Sequence, residues 1–220
     1  MSDQSAIELV GGAWARLAGW LAEYAPSSYA SLLPPASDEA ISAGEARLVH
    51  ALAFGFPPEL KALWQVCGGV EKVDVPGDED GELWAGKFLP GGNLLAPEPA
   101  LWQRLRVGPG EADPWEGAEF VSFLDAEEPS GAGKFGMEVA HSADPTLQGV
   151  GDWSAMTGTD LSPEWLSISA YLEAACELLE TGGGPLLEAL GERRPVLALG
   201  CLAWIDPEDG REVSWQLIRP

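Results

Sequence analysis

Basic residues are scarce in this sequence of 220 residues: 12 Lys and Arg stand against 35 Asp and Glu, a formal net charge of −23. A chain that neutralises phosphates needs a Lys/Arg surface, so this deficit excludes nucleic acid as an expected partner. Histidine is almost missing. His50 and His141 stand far apart and neither has a second ligand at i+3 or i+4, so no zinc site is expected. Cysteine is rare and odd in number. Cys67, Cys176 and Cys201 lack CxxC spacing and lie in apolar runs, which reads as buried free thiols in a reducing compartment. The opening MSDQSAIELVGG has neither the basic region nor the long apolar core of a signal peptide, and no run is long enough to cross a bilayer. The expected location is therefore the cytoplasm, with no membrane partner. The glycine-rich pieces GVGDWSAMTG and PGGN lack the spacing that cradles a phosphate, so no nucleotide cofactor is expected.

What the chain does have is apolar bulk: 46% hydrophobic residues and 10 Trp, enough to bury one mid-sized core. The expectation is one domain over 1–220, with 185–220 as a C-terminal hairpin extension. The most complete local specification is Phe56 to Val70, FPPELKALWQVCGGV. Pro57 and Pro58 suit a helix start and Glu59 places a negative charge at the positive dipole end. Leu60, Leu63, Trp64 and Cys67 fall at i, i+3, i+4 and i+7, and Gly68-Gly69 is read as a left-handed stop.

Before this segment, the spacing predicts a helix from about Ile7 to Tyr24, with Val10, Trp14, Leu17 and Leu21 inward, then a polar turn. Ser37, followed by Asp38 and Glu39, predicts a second helix to about Ala53, with Ile41, Leu48 and Leu52 as its apolar face. After Gly69 the helical period gives way to short apolar pieces. Expected strands are Leu83 to Ala85, Glu119 to Leu124, Phe135 to Ala140 and Val150 to Trp153, with a short helix over Glu98 to Arg106. Ser162-Pro163-Glu164 predicts a helix start, and Trp165, Ile168, Leu172, Ala175, Cys176 and Leu179 form its stripe to Glu180. Val196 to Ile205 and Glu212 to Ile218 are expected as a terminal hairpin turning at DPEDG. The order gives an α+β fold: N-terminal helices packed on a mostly antiparallel sheet, a late helix and a C-terminal β-hairpin.

The helix introduced by paired prolines and closed by two glycines, the upstream WARLAGWLAEYAP and LLPPASDEAISAGEARL, and the downstream FLPGGNLLAPEPALWQRLR together resemble the SMI1/KNR4 (SUKH) superfamily over about residues 14–180. The likeness is one of layout, since none of these pieces is an active-site motif. The chain differs in having Val66 and Cys67 where a charged or asparagine-rich turn is usual, and in the longer acidic loop DAEEPSGAGKFG. The resemblance implies a protein-binding module: bacterial members are commonly immunity proteins that neutralise polymorphic toxins, often basic nucleases or deaminases, while eukaryotic members regulate cell-wall synthesis and growth.

Residues alone point to no catalytic role. His141 with Ser142 and Asp144 lies in one loop, whereas a triad draws its partners from separate segments. The acidic turn Asp74 to Glu82 groups oxygens that suit calcium in kind, yet it misses the EF-hand order, so a solvated loop is preferred and no metal is expected. Acids cluster at Asp78, Glu79, Asp80 and Glu82, and again around Trp115, flanked by Asp113 and Glu116. Two readings stay open: a solubilising surface, or patches complementary to a basic partner, with Trp115 either a desolvated anchor or a local support for its loop. The functional expectation is a non-enzymatic, cofactor-free, immunity-type module that occludes a basic toxin. The alternative is a cytosolic regulatory scaffold of the cell-wall and growth type with an endogenous partner, and an uncharacterised enzyme ranks third.

Overall fold

Pro57 caps and Pro58 begins helix α4 (Pro58–Trp64), as their fixed φ and the dispensable N–H of a first turn require. The computed structural model describes residues 3–78, 83–107, 119–127, 130–141, 148–154, 158–159, 164–206 and 216–217. Leu60, Leu63 and Trp64 are fully buried and Cys67 nearly so, which makes the predicted stripe the core face. The Trp64 indole donates to the Leu95 carbonyl at 2.8 Å and its ring meets Phe56 edge-on at 4.8 Å. The end of α4 differs from expectation, because the helix closes at Trp64 with Gln65 as a right-handed cap. Gly68 serves a close approach instead: a Cβ there would lie 2.4 Å from the Pro34 carbonyl oxygen, to which the Gly68 N–H donates at 3.0 Å. Only Gly69 takes a positive φ, 121°.

Helix α1 (Asp3–Tyr24) begins earlier than its apolar period indicates, and the polar turn after it is itself a short helix, α2 (Pro26–Ala30). Val10, Trp14, Leu17 and Leu21 face inward, where α1 packs on α4 and on the late helix α6 (Ile168–Thr181). Helix α3 (Asp38–Leu52) starts as read, with Ser37 Oγ accepting from Ala40 N at 3.2 Å. Helix α5 (Pro97–Val107) packs on α3. The start of α6 is a correction. Ser167 is its N-cap, with Oγ accepting from Ala170 N at 3.0 Å, while Ser162 and Pro163 of the predicted start lie outside the described residues. Glu59 of α4 completes that cap from outside: its Oε2 accepts from Ile168 N at 2.8 Å and its Oε1 from Ser169 Oγ at 3.0 Å. Glu59 Oε2 on Ile168 N and Ser167 Oγ on Ala170 N satisfy two orphan backbone donors of the first turn and fix the boundary there. Trp165 consequently lies outside the helix, paired through its backbone with Val150 at 2.8 and 3.1 Å.

An antiparallel sheet follows chain order: β1 (Asn93–Leu94), β2 (Glu119–Asp125), β3 (Phe135–His141), β4 (Gly149–Ser154) and β5 (Gly158–Thr159). With the helices packed around it, the chain has an α+β fold. The register of β2 on β3 shifts between Ser122 and Leu124, which makes Phe123 a bulge whose carbonyl accepts from Leu95 N at 2.8 Å. The strand expected at Leu83 to Ala85 is absent. Leu83 and Ala85 instead join Val75, Ala198 and Cys201 in a small second core, and the edge strand lies further on, at Asn93–Leu94.

The expected strand over 196–205 is two strands, β6 (Arg194–Ala198) and β7 (Cys201–Ile205), turned at Leu199 and Gly200 with φ of 49° and 76°. Positive φ at both positions is the twist that a two-residue hairpin demands. Strand β8 (Gln216–Leu217) pairs on the other side of β6, within the segment predicted to return. The turn DPEDG lies, beyond its first residue, outside the described residues. Between β6 and β7 the hairpin tip docks on α2, where Gly200 O accepts from Ser27 N at 2.8 Å and Leu202 N donates to Ser28 Oγ at 3.0 Å. Helix α7 (Pro185–Ala189) links α6 to this hairpin.

Candidate functional site

One end of the β3–β4 ladder, where Phe135 to Met137 pair with Asp152 to Ser154, forms a wall of a cleft of about 590 Å³. The Pro90-Gly91 turn, the extended Glu164-Trp165 segment, Tyr171 of α6 and the end of α7 with Leu190 and Arg193 close its other sides. The turn sits where it does because Gly91 and Gly92 have no side chains. A Cβ on Gly91 would meet Met137 Sδ at 2.5 Å, and one on Gly92 would meet the Asp125 carbonyl oxygen at 2.2 Å. Gly92 also holds φ at 121°, a region that side chains disfavour.

Tyr171 is the pillar of the cleft. Its ring packs edge-on to Phe123 at 6.2 Å and to Trp165 at 5.8 Å, and its hydroxyl accepts from Gly91 N at 3.3 Å. Burial pushes its phenol above the ordinary value, with Asp152 adding to the rise and Arg193 opposing it, so the group stays protonated and binds by hydrogen bonding. Arg193 reaches Pro90 O only at 3.5 Å, a weak contact by geometry. Trp153 and Trp165 are largely buried, whereas Phe135 is 43% exposed. The Trp165 indole N–H has no acceptor among the described residues.

A second concavity of about 500 Å³ lies on the other side of Glu164 and Trp165, bordered by Arg16 of α1 and by Ala170, Glu173, Ala174 and Glu177 of α6. Leu166 stands at its edge with 89% of its surface exposed. Arg16 is already engaged, donating from Nε to Glu180 Oε1 at 2.7 Å and pairing with Glu173. The thiols take no part in either concavity: burial pushes Cys67 and Cys201 up to about 11 and Cys176 up to about 12. Such thiols are protonated at neutral pH and make poor nucleophiles.

Of the residues singled out from the sequence, Asp78 lies at the base of its loop. Its Oδ2 accepts from Leu83 N at 2.8 Å and its N–H donates to Val75 O at 3.1 Å, so part of its work is to close the turn. Glu79, Asp80, Glu82, Asp113, Trp115 and Glu116 lie outside the described residues, as do Ser142 and Asp144. Among the described residues no group of three or more His, Cys, Asp or Glu is placed to hold a metal ion, and no helix is long and apolar enough to cross a membrane. Trp84, which stands out in the sequence after GEL, lies under two ammonium groups, Lys87 at 4.5 Å and Lys72 at 5.5 Å from the ring centre. The residues that sequence reasoning missed are Asp152, Glu164, Leu166 and Arg193. The one signal was the Trp at 165, misread as the first residue of a helical stripe. Compared with known proteins, the chain matches no family model and no curated protein.

Proposed function

We propose that the chain is a protein-binding module of the SMI1/KNR4 (SUKH) type, an immunity-type protein that neutralises a basic toxin by covering it. The observation that carries this reading is the cleft: carboxylates of Asp152 and Glu164 beside the indoles of Trp153 and Trp165, on a chain of net charge −23. Phe135, 43% exposed at the same cleft, gives an open aromatic face beside that anionic rim, which suits a cationic protein surface, where the field speeds encounter and packing sets residence time. The acids at Asp78, Glu79, Asp80 and Glu82, and the group Asp113, Trp115 and Glu116, belong to the same proposal as the wider steering surface. The two exposed anionic grooves and the buried, protonated thiols suit occlusion better than covalent chemistry.

The test is binding to the product of the gene adjacent to that of this chain, followed by kinetics on an immobilised partner at low and high salt. A stoichiometric complex, protection of cells that express both proteins, and an association rate that falls with ionic strength are expected. Neutralising residues 78–80 together should slow association and flatten its salt dependence with little change in dissociation. Trp115→Ala should instead raise the dissociation rate, at a cost of about 2 kcal/mol. Absence of both complex and protection would overturn the reading.

A further inference from the structure

Two concavities share one ridge. The segment Glu164-Trp165-Leu166 separates the cleft over the β3–β4 ladder from the groove along α6, and its tip, Leu166, is 89% exposed. No other large apolar side chain among the described residues is so open; Trp102 follows at 59%. The ionisable groups lining the two concavities are Asp152, Glu164, Glu173 and Glu177 against Arg16 and Arg193. Arg16 and Glu173 are paired with each other and Arg16 also with Glu180, so Asp152, Glu164 and Glu177 against Arg193 set the sign, and the ridge is an apolar knob between hollows of net negative charge. Trp165 lies between the two hollows. The residue is nine-tenths buried, yet its indole N–H lacks any acceptor among the described residues, a cost that folded proteins rarely leave standing.

The ridge is also firmly held. Trp165 is tied through both its N–H and its carbonyl to Val150 and packed edge-on against Tyr171, and Ser167 caps α6 immediately after Leu166. A knob on a rigid base can be buried without first being ordered. A desolvated apolar centre ringed by polar and charged groups is the usual anatomy of an interface anchor.

We infer that the Leu166 ridge is the anchor of the partner interface, and that it receives a basic segment whose apolar side chain packs on Leu166 while Arg or Lys side chains enter the two flanking hollows. This rests on the protein-binding reading above and names the surface and the chemistry of the segment. The carboxylates of Glu164 and Glu177 take the cations.

The probe is an acetylated, amidated pentapeptide of one leucine between two pairs of arginines, titrated into the uniformly labelled full chain and followed by NMR. Saturable shifts of the Trp165 indole N–H and the Leu166 amide are expected, and none from the same peptide with glutamate in place of arginine. Leu166→Ser should weaken the peptide by about tenfold, and because Leu166 is exposed the variant should fold like the parent. Glu164→Gln combined with Glu177→Gln should weaken it by about threefold or more and remove most of the salt dependence. Shifts centred elsewhere, an equal response to the glutamate peptide, or a titration unchanged by Leu166→Ser would overturn the inference. So would self-association of the parent that Leu166→Ser abolishes, which would make a second copy the occupant. A toxin complex that survives Leu166→Ser unchanged overturns the ridge and leaves the proposed function standing. An intact peptide response without any toxin complex does the reverse.

Discussion

Replacing Glu59 by alanine removes both of its carboxylate oxygens from the first turn of α6: the Ile168 N–H is left buried without a partner, and the Ser169 hydroxyl keeps only Ser167 Oγ at 2.9 Å. The expected loss is about 1–3 kcal/mol, read as a lower denaturant midpoint, with Glu59→Gln between parent and alanine because one acceptor oxygen survives. Leu63→Ala and Trp64→Ala should each cost about 2–5 kcal/mol by the same measurement, since both side chains are fully buried and leave cavities. Unchanged midpoints would place that face in solvent. The two sets of residues differ in how far the sequence exposes them. Leu63 and Trp64 announce themselves by period within one segment. Glu59 looks like an ordinary dipole-compensating acid at the start of its own helix, and its second task on α6 involves partners 109 and 110 residues away.

At the scale of elements, the β6–β7 turn and the α1–α6 pairing each carry a prediction. Leu199 holds a φ of 49°, which costs a branched side chain about 1 kcal/mol relative to glycine, while asparagine tolerates it better. Leu199→Asn should therefore raise the melting temperature by a few degrees. The α1–α6 contact is pH-dependent through Glu180, whose carboxyl the Arg16 guanidinium holds below the usual carboxylate range. A lowered folded value stabilises above the unfolded value and ceases to do so as pH falls through the folded one. Glu180→Gln should thus cost about 0.5 kcal/mol at neutral pH, discounted because the pair is exposed. Parent and variant should converge in acid and in high salt. Both ends of this architecture escape the sequence for one reason: Gly, Pro and Asp clusters signal turns and starts that tertiary contacts place elsewhere. An apolar VLALGCLAWI folds back on a Leu-Gly pair, and α6 begins after Ser167, where Glu59 reinforces the cap from another helix.

For the whole molecule, the three buried thiols predict silence: a thiol reagent should label none of the 3 cysteines in the folded chain and all of them in denaturant. Fast native labelling of any one would show an opening at that cysteine. Composition made the α+β class and the apolar core legible, because helices and strands declare their periods locally. The cleft was not legible, since Gly91, Phe135, Asp152, Trp165, Tyr171 and Arg193 meet only after the sheet and α6 are assembled. The glycines of the 90–92 turn, described above as making room, also bear on the entropy of recognition. A wall built from glycine backbone, so close to its neighbours that an added Cβ would lie within 3 Å of them, has few rotamers to freeze when a partner arrives. Side-chain ordering, about 0.5–1.5 kcal/mol per flexible residue at an interface, is thus largely settled on that side when the chain folds. Binding there should give a heat-capacity change set by the area covered, without an added ordering contribution, and calorimetry over a range of temperatures would separate the two.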